Sequence, residues 1–154
     1  MRTTRVGRRF LTAAGIVFAA VASHAGTSAI AYAEEIAWRQ LTEQTAGLGG
    51  GMFTREGKAT FKGGETATVA TTSKMGPSSA DASFPFEGQA VFTFVDGSTF
   101  TARFGGTDKF DYTQTGWGEF ISGTGRFQGI AGRYTFQGKR GDTEHVGTYS
   151  LPSK

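Results

Sequence analysis

Two side chains in the second half of the sequence stand out as candidates to move a proton. They are His145, beside Glu144, and Glu119, two residues after Trp117. A serine hydrolase would use His145 as its base, but no G-x-S-x-G elbow accompanies it. Its place near the last strand reads as an exposed edge histidine. Glu119 is the better single acid or base. In a strand over Tyr112–Ile121, alternation puts Thr113, Thr115, Trp117, Glu119 and Ile121 on one face. Facing inward, Trp117 and Glu119 would form a pocket wall with one polar handle. Facing outward, Glu119 is simply solvated, as a glutamate without a partner usually is.

Other chemistries lack their residues. The 154-residue chain has no cysteine and two histidines, His24 and His145, so neither sulfur nor clustered imidazole is there to hold a metal. Gly105-Gly106 and the Gly123-x-Gly125 turn are not followed by the helix of a nucleotide loop. The glycines at 47 and 49–51 lack the lysine and hydroxyl that a phosphate loop needs. These clusters read as turns, and no cofactor is expected.

The charge has a local origin. The whole chain carries a formal net charge of +3, but residues 1–33 hold Arg2, Arg5, Arg8 and Arg9 and no acid. Without them the remainder is one charge negative, which removes the case for nucleic acid or an anionic membrane as partner. The same segment has the layout of a secretory signal peptide. A basic start leads to an apolar stretch from Phe10 to Val21, then to small residues. That stretch is too short for a bilayer, which takes roughly 20 residues. Cleavage would follow Ala25 or Ala33, with Ala33 preferred because Glu34-Glu35 opens a different composition. Arg8-Arg9 before Phe10-Leu11 resembles a twin-arginine signal, lacking the usual residue before the Phe-Leu pair, and a Sec route serves equally. Either route implies a secreted or periplasmic protein. A single domain over residues 34–154 would follow.

What positions the candidate residues is a set of strands. Thr, Val, Phe and Tyr dominate the runs, and Gly punctuates them. Strands are expected at Ile36–Glu43, Gly57–Lys62, Glu65–Ser73, Phe84–Val95, Thr99–Phe104, Tyr112–Ile121, Arg133–Lys139 and Val146–Leu151. Short pieces around Met52-Phe53 and Arg126-Phe127 would add to their neighbours. Eight strands suit a small closed antiparallel barrel, or a sandwich, and closure removes exposed edges. In one hairpin the register can be derived. A two-residue turn at Asp96-Gly97 would put the two apolar faces on opposite sides of the sheet. A three-residue loop, Val95-Asp96-Gly97, pairs Phe94 with Ser98 and Phe92 with Phe100. Ala90, Phe92, Phe94, Phe100, Ala102 and Phe104 then share one face, and Gly97 takes a left-handed conformation.

The run Gly123-Thr124-Gly125-Arg126-Phe127-Gln128-Gly129-Ile130-Ala131-Gly132 follows that hairpin. It resembles the barrel signature of the allene oxide cyclase and dirigent-like superfamily, and of secreted bacterial proteins that share it. Asp96-Gly97-Ser98-Thr99 before it and Gly147-Thr148-Tyr149 after it extend the similarity over roughly residues 86–151. The resemblance implies a barrel that cyclises or guides a reactive small molecule. It carries no catalytic residue to a numbered position here. The expected function is therefore binding of an apolar small molecule by Phe92, Phe94, Phe100, Phe104, Trp117 and Tyr134. The alternatives are a cyclase or isomerase acting by confinement with Glu119 as acid or base, and a structural or partner-binding envelope module. Composition does not decide whether the aromatic set, which also includes Phe84, Phe86, Phe127 and Phe136, lines a cavity or fills it. An outer-membrane barrel is disfavoured by the threonine-rich faces.

Overall fold

The computed structural model of the chain describes residues 33–153, so the leader expected at 1–33 lies almost wholly outside the described residues. The strands are β1 (Glu34–Gly49), β2 (Met52–Phe61), β3 (Thr66–Met75), β4 (Ser83–Phe94), β5 (Thr99–Lys109), β6 (Thr113–Gly123), β7 (Ala131–Lys139) and β8 (Asp142–Ser150). They form one closed antiparallel barrel in sequence order. β1 closes it against β8, with Trp38 opposite His145 and Glu34 opposite Tyr149. Among the described residues no helix is long and apolar enough to cross a membrane.

Each expected strand is present, and several run further. Met52-Phe53 adds to its neighbour as expected, opening β2. Gly105-Gly106 is not a turn: β5 continues through it to Lys109. Arg126-Phe127 is not strand but part of a single 3-10 turn, Gly125–Phe127, and β7 starts only at Ala131. Tyr112, expected to open β6, instead takes φ +65° in the turn before it.

The β4–β5 hairpin has the derived register. Phe92 pairs with Phe100 and Ala90 with Ala102. The Phe94 N–H donates to Ser98 O at 2.9 Å, and Gly97 sits at φ +81°. Its apolar face turns inward. Phe92 and Phe100 are fully buried, with ring centroids 4.4 Å apart. Trp38 packs into the same core against Phe61 (5.6 Å), Phe92 (5.7 Å) and Tyr134 (4.8 Å). Burying each such side chain contributes about 1.5–3 kcal/mol, so the barrel centre is a solid aromatic core. The sequence makes room for the large rings by pairing them with glycine. A Cβ at Gly118 would lie 1.9 Å from Cζ of Tyr134.

The two ends differ. At the end formed by the β2–β3, β4–β5 and β6–β7 connections, the 3-10 turn places Phe127 against Phe94 (4.8 Å) and Phe100 (5.2 Å). Arg126 covers Phe94 and Phe127, its guanidinium carbon 4.7 Å from each ring, and pairs with Glu65. That end is plugged. At the other end, bordered by Gly49–Gly51, residues 110–112 and Arg140-Gly141, inward positions become polar.

Candidate functional site

Alternation carries charge into this second end. On β5 the inward series Phe100, Ala102, Phe104 continues through Gly106 to Asp108, which is 0 % exposed. Its Oδ2 accepts from Arg140 Nε at 2.7 Å and from Gln114 Nε2 at 3.0 Å. Oδ1 has no hydrogen-bond partner among the described residues. Arg140 is fixed by the β7–β8 turn, its N–H donating to Tyr112 O at 2.8 Å and its guanidinium lying 4.7 Å over the Tyr112 ring. Arg140 thus compensates a buried carboxylate.

On β2 the inward series Phe61, Ala59, Gly57 leads to Arg55. Arg55 donates from Nε to Thr42 Oγ1 (3.2 Å) and from Nη2 to Thr42 O (2.9 Å). Burial, and after it the neighbouring Arg140, lower its pKa from the ordinary arginine value.

On β8 the inward pair is Thr143 and His145. His145 is not an exposed edge residue: it is 5 % exposed, 4.5 Å from the Trp38 ring at 14° and 5.2 Å from Phe136. The expectation failed because the last strand was expected to begin at Val146, whereas β8 begins at Asp142 and turns His145 inward while Val146 faces out. His145 Nε2 shares a 2.8 Å hydrogen bond with Thr143 Oγ1, while Nδ1 has no partner among the described residues. Burial pushes its pKa down to about 3, so the ring is neutral at ordinary pH.

Arg55, Gln114, Thr143 and His145 border a cavity of about 60 Å³, while Asp108 and Arg140 lie outside its lining. Its polar lining includes Gln40, Arg55, Thr71, Ser73, Gln114 and His145, and its apolar lining includes Phe86, Phe104, Tyr134 and Phe136. Burial also raises the Tyr134 pKa, keeping that hydroxyl protonated. Such a volume takes a few water molecules or one compact polar group, and a fully enclosed benzene needs about 150 Å³. The rim is apolar. Leu48 and Met52 flank the first turn, and Phe110 and Tyr112 form the third, all exposed. Phe84, a member of the aromatic set expected to line or fill the interior, packs at this rim against Phe110 at 4.9 Å.

The residues expected to line a pocket therefore divide. Phe104 and Tyr134 line the cavity. Phe92, Phe94 and Phe100 do not, being packed in the core. Trp117 and Glu119 stand on the outer wall, where Arg103 Nε donates to Glu119 Oε2 at 2.8 Å and Arg133 lies 3.9 Å from its other oxygen. The Arg103 hydrogen bond holds the Glu119 carboxyl below its ordinary pKa. Glu119 as an interior acid or base is withdrawn on this geometry. Arg55, Asp108 and Gln114 were missed, and His145 was set aside as an edge residue. For Asp108 the signal was present, since the Phe100-Ala102-Phe104 alternation reaches it once β5 runs past its glycines. Among the described residues no group of three or more His, Cys, Asp or Glu side chains is placed to hold a metal.

Asp108→Ala is expected to destabilise the barrel by about 2–3 kcal/mol in urea unfolding. Removing one partner of a fully buried pair costs about 3–5 kcal/mol, and the partial exposure of Arg140 lowers that figure. An unchanged urea midpoint would show that the pair contributes nothing.

No family model matches the chain, and no curated protein matches it in sequence.

Proposed function

We propose that this chain is an exported small-molecule-binding barrel, kin to the allene oxide cyclase and dirigent-like proteins on the strength of the glycine–phenylalanine motif. Its site is the polar cavity and apolar rim at the end bordered by residues 49–51 and 110–112. Its ligand has an apolar body and one compact hydrogen-bonding head. The carrying observation is His145 Nδ1, a buried polar atom on the cavity wall with no partner among the described residues. Leaving such an atom unmet costs about 1–3 kcal/mol, which a ligand head would recover. The exposed rim residues Leu48, Met52, Phe110 and Tyr112 favour an apolar body outside that head. Binding is preferred to catalysis because neutral His145, with its pKa near 3, is a weak base at the pH of most proton-transfer chemistry.

The test is a thermal-shift screen of short- and medium-chain alcohols, ketones and carboxylic acids. A ligand at about 100 times its Kd adds about 2.7 kcal/mol, which raises Tm by several degrees. Ser73→Leu, which fills the cavity wall, is expected to abolish the shift. A screen in which no compound raises Tm, or in which Ser73→Leu responds like the parent, would leave only the structural role.

A further inference from the structure

The outer wall carries a different arrangement, independent of the end cavity. Trp117 points out of β6 and is 51 % exposed. Its neighbours across the sheet are Gly105 on β5 and Thr135 on β7. A Cβ at Gly105 would come within 3.1–3.3 Å of three indole atoms, so the ring leans over bare backbone that only glycine leaves free. A shallow cleft lies on each side, of about 510 and 580 Å³.

Hydrogen-bonding groups stand in both clefts among apolar side chains, Val146 in one and Met52 and Val91 in the other. Arg133, Thr135 and Thr148 are on one side, Lys74, Glu87 and Gln89 on the other, and Arg103 borders both. A protein-docking face would offer continuous apolar area, but Thr135 separates Trp117 from Val146 in the register. One flat aromatic ring among guanidinium, amide and hydroxyl groups instead complements a sugar. A pyranose stacks its C–H face on an aromatic plane and presents hydroxyls around its edge.

The charges select the class of sugar. Lys74, Arg103 and Arg133 face two carboxylates, Glu87 and Glu119. Arg103 is engaged by Glu119 at 2.8 Å. Arg133 reaches Glu119 only at 3.9 Å, and its side chain is 82 % exposed. Its planar donor fork is free to take an external carboxylate in two parallel hydrogen bonds. We propose that the outer face centred on Trp117 binds an acidic oligosaccharide, with a sugar ring on the indole and a uronic carboxylate on Arg133.

The experiment titrates the full chain with an oligogalacturonate and with a neutral hexose oligomer of equal length, by calorimetry and by tryptophan emission. The only other tryptophan, Trp38, is buried, so a change in emission on binding reports Trp117. Saturable binding of the acidic sugar is expected, with a shift in emission. Trp117→Ala and Arg133→Gln each weaken it about tenfold or more, as loss of one stacking plane or one charged hydrogen bond would. Both substitutions leave Tm unchanged, because both side chains are on the outside. The neutral oligomer binds at least about tenfold more weakly for the same reason. No saturable binding, equal affinity for the two sugars, or unchanged affinity in either variant would overturn the proposal.

Discussion

Lowering the pH from about 7.5 to about 4.5 is expected to remove about 2.5–3 kcal/mol of folding stability through one side chain, His145. Its ring is buried between Trp38 and Phe136, and its pKa falls from the ordinary 6.5 to about 3 because burial disfavours the imidazolium. The unfolded chain binds a proton near pH 6.5 and the folded chain does not. The stabilisation is therefore complete above about pH 6.5 and is lost as the pH falls toward 3, with a slope approaching about 1.4 kcal/mol per pH unit. The groups around the ring do not titrate in this window. Tyr134 is held protonated, Arg55 stays cationic, and Thr143 is neutral. The carboxylates whose pKa is lowered by hydrogen bonds, Asp81, Asp96, Asp111, Glu119 and Asp142, act only at lower pH. The check is urea unfolding as a function of pH for the parent and for His145→Phe. The variant loses the Thr143 hydrogen bond at every pH, but its stability is flat across this range. Equal slopes in the two proteins would show that His145 is not buried neutral.

Phe100→Ala is the second large effect, a loss of about 3–5 kcal/mol, the usual cost of emptying a phenylalanine site in a core. Phe100 is fully buried and packs against Phe92 at 4.4 Å, Phe120 at 5.1 Å, Phe127 at 5.2 Å and Phe94 at 5.6 Å. Its removal also withdraws support from the plug, because Phe127 rests on it. At several degrees of Tm per kcal/mol, a drop of about 10–20 °C is expected by calorimetry. By contrast, Val95→Ala, at an almost fully exposed loop position one residue past β4, is expected to shift Tm by no more than about 2 °C. A Phe100→Ala protein with nearly parental stability would mean that the interior is loose enough to collapse, and the case for a solid core would fail with it.

Much of the barrel was legible because alternation is a local property. Each strand of the β4–β5 hairpin has one apolar and one threonine-rich face, and only the bulged three-residue loop brings the two apolar faces together. The register thus follows from ten or so residues. The same logic runs out where side chains are small or polar. Gly105-Gly106 looks like punctuation because glycine has no face to read, yet β5 passes through it and delivers Asp108 inside. In β8 the choice between Val146 and His145 as the inward residue depends on which partner strand offers a ring to stack on. That partner is β1, more than a hundred positions earlier in the chain.

The eight strands, the aromatic hairpin and the groups available for chemistry follow from the order of residues along the chain. That Trp117 and Glu119 face out, that the phenylalanine centre is solid, and that Arg55, Asp108, Arg140 and His145 gather at one end follow only from the closed barrel. Periodicity assigns residues to two faces of a strand, but which face becomes the inside, and how far the rings fill it, depends on the combined volume of eight strands at once.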